Sequence, residues 1–343
     1  MQRKSFLGTC ATLFAGSIAA RGASVFLREG EPDARLRVPP YLKPGDTVGI
    51  TSPAGAITEA ELQPALQQLR AWGFSVRIGS SIGKKDFSFG GTDEERCSDL
   101  QQLLDDPGIA AILCARGGYG SARIVDALAW DGFRKHPKWL IGFSDITVLH
   151  AHIQRHCGVA SIHSKMCNSF PDDWDKAEPI QRETVLSIRD ALQGARVLLN
   201  APANARNRPG SGEGMLIGGN LRTLENLAGT PSDIQTKGKI LFIEDTGEYA
   251  YSIDRMLENL RRGGKLASLA GLVVGGFKIR PDDPGEEFGR TLADIIAEKT
   301  AGTRYPIGFD FPIGHQRANF ALKCGLRHRL AVRIDGSSLT ELQ

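Results

Sequence analysis

Short apolar runs alternate with amphipathic segments along residues 40–195. The runs TVGITSP, IAAILCA and WLIGFS are apolar almost throughout and predict buried strands. The segments between them have apolar residues at helical spacing, and one begins with a capping pair, Thr92 and Glu95. Strands buried on both faces and separated by helices are typical of a parallel sheet covered on both sides. We therefore predict a doubly wound α/β domain over residues 40–195.

The pattern changes after that domain. Residues 196–213 carry Pro, Gly, Asn and Arg without periodicity and predict a linker. Residues 214–343 then mix short strands, such as KILFIED and GLVVGGF, with two helices near NLRTLENLAG and SIDRMLENLRRGG. The predicted fold class is thus α/β, with an N-terminal, doubly wound, mainly parallel sheet domain and a smaller C-terminal domain of mixed strands and helices.

The composition narrows the class of partner. The chain has 343 residues, 24% of them charged, with a formal net charge of +3 and no basic block, which does not favour a nucleic-acid partner. Its 40 glycines cluster in short loops between apolar runs, as suits tight turns around a site. The cysteines have no regular spacing and predict no disulfide framework.

The first 23 residues have the layout of a secretory signal peptide. Arg3 and Lys4 precede an apolar stretch of small residues, Ser5 to Ala20, and a small-residue exit follows near Ala23. RKSFLG also resembles a twin-arginine export signal with lysine as the second basic residue. The apolar stretch is too short for a comfortable membrane span. We expect an exported, periplasmic protein without an integral membrane segment in its mature chain; the alternative is a cytoplasmic protein.

The stretch WLIGFSDITVLH, residues 139–150, places Ser144 on a turn between a predicted strand and a predicted helix. In an open α/β sheet, ligands bind at the C-terminal ends of the strands. The N–H of Asp145 and the start of the helix face the same point and could hold an oxyanion. The motif matches the Gly-x-Ser-x-Gly turn only in part, because its fifth residue is Ile146. The alternative is that Ser144 or Asp145 caps the helix.

The stretch CARGGYGSARI is a glycine-rich loop after another buried strand. It could cradle a phosphate, although it lacks the spacing of both dinucleotide-binding and P-loop motifs. It could also be a plain tight turn. In a third interpretation, Gly118 supplies a second oxyanion donor, and Arg116 or Tyr119 lies near a substrate carboxylate.

An acid and a base for Ser144 are available in the second half of the chain. Glu244 and Asp245 end an apolar strand, and His315 follows a glycine in a loop. A hydroxyl nucleophile needs a neutral imidazole, which in turn needs a carboxylate to orient it. Alternatively, Glu244 forms a structural ion pair with Arg255, and His315 is an ordinary loop histidine.

Four further histidines, His150, His152, His156 and His163, lie close together in the sequence. His152 and His156 have the spacing of a zinc pair, but no glutamate follows His152 and no third ligand is evident. We expect no metal, and we place these side chains on the helix behind Ser144 or between the domains.

Six motifs in order resemble the LD-carboxypeptidase family of serine peptidases. They span residues 40–325 and read LKPGDTVGITSPAG, ARGGYGSARIVDAL, LIGFSDITVLH, GMLIGGNLRTLENLAGTP, LFIEDTGEYAYSIDRML and FPIGHQRANFAL. The resemblance implies a catalytic triad carried here by Ser144, Glu244 and His315, with Gly118 and Asp145 as the oxyanion hole. It also implies a homodimer, no metal or cofactor, and release of the terminal D-alanine from a murein tetrapeptide.

The chain departs from the family at two places. Residues 162–166 read IHSKM where His-Gly-Pro is common in the family, and QRANFALKCG after His315 is less rich in Gly and Pro. Both departures concern the substrate more than the reaction. The rival functions are a self-immunity peptidase that cleaves a peptidyl-nucleotide antibiotic, a non-catalytic binder of muropeptides, and a nucleotide enzyme of Rossmann type.

Overall fold

The computed structural model describes residues 36–342, and the predicted runs TVGITSP, IAAILCA and WLIGFS each contain a strand. In chain order the strands are β1 (Thr47–Thr51), β2 (Ser75–Ile78), β3 (Ile109–Cys114), β4 (Trp139–Gly142), β5 (Ser161–His163), β6 (Leu198–Ala201), β7 (Gly210–Asn220), β8 (Ile240–Tyr249), β9 (Gly271–Arg280), β10 (Ile307–Gly308), β11 (Leu322–Cys324), β12 (Arg327–Arg333) and β13 (Gly336–Glu341).

The helices fill the gaps between the strands. They are α1 (Glu59–Ala71), α2 (Asp93–Asp105), α3 (Ser121–Ile124), α4 (Asp131–Lys135), α5 (Thr147–His152), α6 (Pro179–Leu192), α7 (Leu221–Asn226), α8 (Ala250–Arg262) and α9 (Leu292–Lys299). The predicted capping pair of Thr92 and Glu95 forms at the start of α2, and Thr58 and Glu61 form a second one at α1. Each pair satisfies N–H groups that the first turn of a helix leaves free.

The first sheet has six strands in the order β11-β5-β4-β3-β1-β2. Strands β1 to β5 are parallel, and β11 is antiparallel to β5. The strand order reverses between β1 and β3, so the loops that follow these two strands diverge and leave a crevice at the C-terminal edge. The predicted doubly wound parallel sheet is therefore confirmed.

The second sheet has seven strands in the order β10-β9-β8-β7-β12-β13-β6. Strands β7 to β10 are parallel and the other three are antiparallel, which confirms the predicted mixed character of the C-terminal part. Residues 196–213, where the sequence predicts a linker, contain β6 and the first residues of β7. Strand β11 comes from the C-terminal part of the chain but completes the first sheet. The sheets therefore do not divide the chain at one point, and the predicted domain limits remain a prediction.

The two sheets share one apolar core at the edge where Ser144 lies. Val148 and Leu149 of α5 belong to the same buried cluster as Ile217 of β7. The N–H of Asn220, at the end of β7, donates a 3.1 Å hydrogen bond to Oγ1 of Thr147, the first residue of α5. The helix behind Ser144 is thus packed and hydrogen-bonded to the second sheet.

The predicted signal peptide, residues 1–23, lies outside the described residues. Within residues 36–342, no helix has the length and the apolar character that a membrane crossing requires.

Candidate active site

Ser144 occupies a strained turn between β4 and α5. Its φ is 63°, in the left-handed region that residues other than glycine rarely adopt. The buried strand β4 ends just before this turn, and a short 3₁₀ helix, Ser144–Ile146, connects the turn to α5. Neither the 3₁₀ turn nor α5 has a side-chain cap, so the alternative in which Ser144 or Asp145 caps this helix is wrong.

Asp145 instead ties the Ser144 turn to the glycine-rich loop. Its buried carboxylate accepts a 2.8 Å hydrogen bond from the N–H of Ser121, the first residue of α3. Burial raises the pKa of Asp145, while the hydrogen bonds from Ser121 oppose this shift. The hydrogen bond links the turn after β4 to the start of α3, the helix that follows the glycine-rich loop.

The glycine-rich loop approaches Ser144 closely at Gly117. A Cβ on Gly117 would lie 3.1 Å from Cβ of Ser144 and 3.2 Å from Cε of Met166, so a larger residue would push the loop away. Gly118, the next residue, is exposed, and its N–H has no acceptor among residues 36–342. An unpaired N–H beside a serine hydroxyl is suited to hold an oxyanion. The sequence predicts a role for Gly118 but not for Gly117, although the Gly-Gly pair is visible in the sequence.

The two predicted substrate-binding residues lie on the exposed side of this loop. Arg116 donates a 3.3 Å hydrogen bond to the carbonyl of Ala56, and its guanidinium is 3.7 Å from the carboxylate of Glu61. Tyr119 is 56% exposed, and its ring packs against Phe89 with the centroids 5.6 Å apart. Arg116 therefore already has an acidic neighbour, and Tyr119 presents most of its ring to solvent.

Glu244 and His315 are joined by a short hydrogen bond. Nδ1 of His315 is 2.5 Å from Oε2 of Glu244, and the N–H of His315 donates to the same oxygen at 3.1 Å. Glu244 is fully buried at the middle of β8, and 17% of the His315 side chain is exposed. Since a carboxylate only accepts, Nδ1 carries the proton and Nε2 of neutral His315 is left with a free lone pair.

The neighbouring acids have other partners. The carboxylate of Asp245 accepts hydrogen bonds from Nδ2 of Asn220 at 2.9 Å and from the N–H of Arg222 at 3.0 Å, and burial raises its pKa to about 6. Glu248 pairs with the Arg222 guanidinium at 3.2 Å. The residue types alone do not choose between these acids, whereas the family resemblance implies Glu244. Of the three, only Glu244 contacts His315 in the described part of the chain.

Arg255, the alternative partner of Glu244, lies elsewhere. Its guanidinium stacks over the ring of Tyr251 at 5.4 Å. The interpretation of Glu244 as half of a structural ion pair with Arg255 is therefore wrong, and Glu244 bonds to the imidazole.

His315 lies beside the Ser144 turn. Its ring packs against Phe143, the residue before Ser144, with the centroids 4.9 Å apart. Phe143 in turn meets His163 in an edge contact at 5.8 Å. The second sheet thus brings a histidine with a free Nε2 to the strand end that carries the strained serine.

Three of the other histidines bond to groups of the fold. His150 is fully buried between Oγ of Ser161 and the carbonyl of Gly142, and burial lowers its pKa to about 4. In the pair with zinc-ligand spacing, Nδ1 of His152 is hydrogen-bonded to Oγ of Ser232, and Nε2 of His156 donates to the carbonyl of Pro231. Residues 36–342 contain no cluster of three or more His, Cys, Asp or Glu that could hold a metal ion.

Two family models match the chain. The model described as the LD-carboxypeptidase N-terminal domain matches residues 48–164, which include Ser144 and Gly118. The model described as the LD-carboxypeptidase C-terminal domain matches residues 213–330, which include Glu244 and His315. The first matched segment contains nearly all of strands β1 to β5, and the second contains most of the second sheet together with β11.

Several known proteins are similar over most of their length. A probable murein peptide carboxypeptidase of Bacillus subtilis is 35% identical, over 84% of this chain and 90% of that protein. The murein tetrapeptide carboxypeptidase of Pseudomonas aeruginosa is 32% identical, over 81% and 91%. The crystal structure of muramoyltetrapeptide carboxypeptidase from Oxalobacter formigenes superposes with a TM-score of 0.76 at 25% identity, covering 87% and 99%. The microcin C7 self-immunity protein MccF of Escherichia coli is 26% identical, over 86% and 93%.

Proposed function

Because the chain belongs to the LD-carboxypeptidase family and is a serine-type carboxypeptidase, we propose that it releases the terminal D-alanine of murein tetrapeptides. Two relatives named for murein peptides support this substrate, and one of them is named for the tetrapeptide. The observation that carries the proposed mechanism is the hydrogen bond between Glu244 and His315 beside the turn that bears Ser144.

In the proposed mechanism, Nε2 of His315 takes the proton of the Ser144 hydroxyl. The oxygen of Ser144 attacks the carbonyl carbon of the third residue, and the carbonyl oxygen becomes an oxyanion. The N–H groups of Gly118 and Asp145 donate hydrogen bonds to that oxyanion. Glu244 keeps the imidazole in the Nδ1–H tautomer and stabilises its cation.

The same groups complete the reaction. Protonated His315 gives its proton to the amide nitrogen, the C–N bond breaks, and D-alanine leaves. His315 then takes a proton from a water molecule as the water oxygen attacks the ester carbonyl. The bond to Ser144 breaks, His315 returns the proton to Oγ of Ser144, and the tripeptide is released. Every step is a proton transfer or an acyl transfer among Ser144, His315 and water, and no electron is gained or lost.

Mass spectrometry of muropeptides tests the function. Incubation of the protein with a purified murein tetrapeptide should yield the tripeptide and one free alanine, and a chiral assay should identify it as the D form. An unchanged tetrapeptide would refute the proposal. Peptide that binds but is not cleaved would indicate the non-catalytic binder of muropeptides.

The similarity to the self-immunity protein MccF supports a second candidate substrate, a peptidyl nucleotide. It is the weaker candidate, because the relatives named for murein peptides are more similar in sequence. Incubation of the protein with an aminoacyl sulfamoyl nucleoside, in parallel with the tetrapeptide, separates the two. Faster cleavage of the nucleotide conjugate would reverse the preference.

Export and dimerisation complete the proposal. The layout of residues 1–23 supports processing and a periplasmic location, where the substrate would be murein or its fragments. Fractionation of cells that express the full chain should recover a shortened protein in the periplasm. Light scattering of the purified mature chain should give twice the monomer mass.

A further inference from the structure

Two lysines without an acidic partner lie at the edge of the cleft, one from each half of the chain. Lys165 follows β5 by two residues, and Lys278 lies in β9. Among residues 36–342, neither ammonium forms a hydrogen bond or an ion pair. Lys323, by contrast, is a buried lysine with partners: its ammonium contacts the carboxylate of Glu341 and donates a hydrogen bond to the carbonyl of Ala195.

Lys165 is placed by residues that touch the Ser144 turn. Its predecessor, Ser164, donates its N–H to the carbonyl of the last residue of β4 at 3.1 Å. The next residue, Met166, lies against the glycine-rich loop. A Cβ on Gly117 would be 3.2 Å from Cε of Met166 and 3.1 Å from Cβ of Ser144. The stem of Lys165 is half-buried in this wall of the cleft.

Lys278 is placed by the strands that carry the acid and the histidine. In the register of β8 and β9 it pairs with Thr246, two residues after Glu244. Gly276, on the same strand, forms a bridge with Gly314, the residue before His315. Lys278 thus extends from the strand that supports the His315 loop.

The surroundings of Lys165 disfavour its positive charge. Burial is the larger cause that lowers the pKa of Lys165, and the charge of Lys278 is the second. A half-buried positive charge without a carboxylate is unfavourable, and an anion that enters the cleft would neutralise the charge of Lys165 and accept its hydrogen bonds. Arg116 is less suited to this task, because Glu61 already lies 3.7 Å from its guanidinium.

We propose that Lys165, assisted by Lys278, binds the free carboxylate of the departing D-alanine and so makes the enzyme a carboxypeptidase. This inference rests on the proposed function. In D-alanine, one carbon separates the carboxylate from the nitrogen that His315 protonates, so the carboxylate must lie close to the His315 loop. The strand of Lys278 is bridged to that loop, and Met166, the residue after Lys165, lies against the glycine-rich loop that approaches Ser144. The two lysines therefore hold the leaving residue and do not take part in the bond changes.

Two peptides that differ only in the terminal carboxylate measure what that carboxylate contributes to catalysis. The test compares a tetrapeptide that ends in D-alanine with the same peptide that ends in D-alaninamide, which has no terminal charge. Lys165→Met should lower kcat/KM for the acid about 10- to 100-fold, mainly through KM, because a charge-assisted hydrogen bond is lost. The change for the amide should stay within about threefold. Lys165→Arg should restore part of the loss, and Lys278→Met should give a smaller effect in the same direction.

Lys237→Met is the matched control, since Lys237 is an exposed lysine in the loop before β8. It should leave kcat/KM unchanged for both peptides. Equal losses on the acid and the amide in Lys165→Met would overturn the proposal. A loss seen with peptides whose third residue is diaminopimelate, but not with peptides whose third residue is lysine, would also overturn the proposal. Lys165 and Lys278 would then bind the side-chain carboxylate of the diaminopimelate.

The proposal about the lysines can be separated from the proposed function. Failure of the wild-type protein to release D-alanine from any tetrapeptide would refute the function. Titration calorimetry of the acid and amide peptides with Ser144→Ala and Ser144→Ala/Lys165→Met then tests the lysine by itself. Weaker binding of the acid alone in the double variant supports the site, and equal affinities for both proteins refute it.

Discussion

Oε2 of Glu244 lies 2.5 Å from Nδ1 of His315, and the two residues are 71 positions apart in the chain. The contact depends on Gly314, whose φ is 87° and whose Cβ, if it had one, would lie 2.4 Å from Cβ of Glu244. The other carboxylate oxygen, Oε1, is buried and has no partner in the described part of the chain. The imidazole is thus the side-chain partner of a carboxylate shielded from water, an arrangement that stabilises the imidazolium during proton transfer.

Ser144→Ala should remove nearly all turnover. The variant keeps the fold and the oxyanion donors but has no nucleophile, so kcat should fall on the order of 10⁴-fold or more. Release of D-alanine, followed by mass spectrometry, measures the loss. Ser98→Ala, on the exposed face of α2, is the control and should be as active as the wild type. Near-normal activity of Ser144→Ala would disprove the assigned nucleophile.

Glu244→Gln and Asp245→Asn should separate catalysis from stability. The first variant loses the charge that orients His315, and kcat should fall about 10³- to 10⁴-fold. The second turns a donor toward the N–H of Arg222 and should lower the free energy of unfolding by about 1–3 kcal/mol, with kcat/KM changed only a few-fold. Urea titration and steady-state kinetics measure both quantities. The reverse pattern would mean that Asp245 is the catalytic acid.

Gly117→Ala should disturb the oxyanion hole. The added methyl group would lie 3.1 Å from Cβ of Ser144, so the loop must shift and carry the N–H of Gly118 with it. We expect kcat/KM to fall about 10- to 100-fold with little change in thermal stability. Gly263→Ala, at the end of α8, is the matched control because its nearest contact would be an ordinary 3.4 Å. Full activity of Gly117→Ala would argue against an oxyanion role for this loop.

Acid should destabilise the fold through His150. Burial lowers its folded-state pKa to about 4, below the unfolded value of about 6.5, so neutral His150 stabilises the fold above pH 6.5. This contribution is lost as the pH falls from about 6.5 toward 4, and the loss from pH 7 to 4.5 should reach about 2–3 kcal/mol. Urea unfolding at both pH values measures it.

His150→Gln should shrink this difference between pH 7 and 4.5, although it also costs stability at pH 7. His136→Gln, at an exposed histidine, should behave like the wild type. A pH dependence that is unchanged in His150→Gln would assign the acid sensitivity to other groups.

The fold class was predictable because its signals are local. Fully apolar runs between amphipathic helices indicate a parallel sheet, and β1, β3 and β4 follow the predicted runs closely. The linker prediction for residues 196–213 relied on composition alone, and β6 and the start of β7 form there through pairing with β13 and β12. Those partners lie more than 100 residues later, so no local pattern could have indicated them.

The residue types of the site, Ser144 on a turn after a buried strand and a histidine in a glycine loop, could be read from the chain. The choice of Glu244 over Asp245 and Glu248 could not, because the three are acids within five positions of one another. It depended on Asn220 and Arg222, which bind Asp245 and Glu248, and on the loop of Gly314, which delivers His315 to Glu244. Likewise, the bridge between Gly276 and Gly314, which places β9 beside the His315 loop, joins segments that are distant in the chain. Local periodicity encodes elements, whereas contacts between distant segments exist only once those elements have packed.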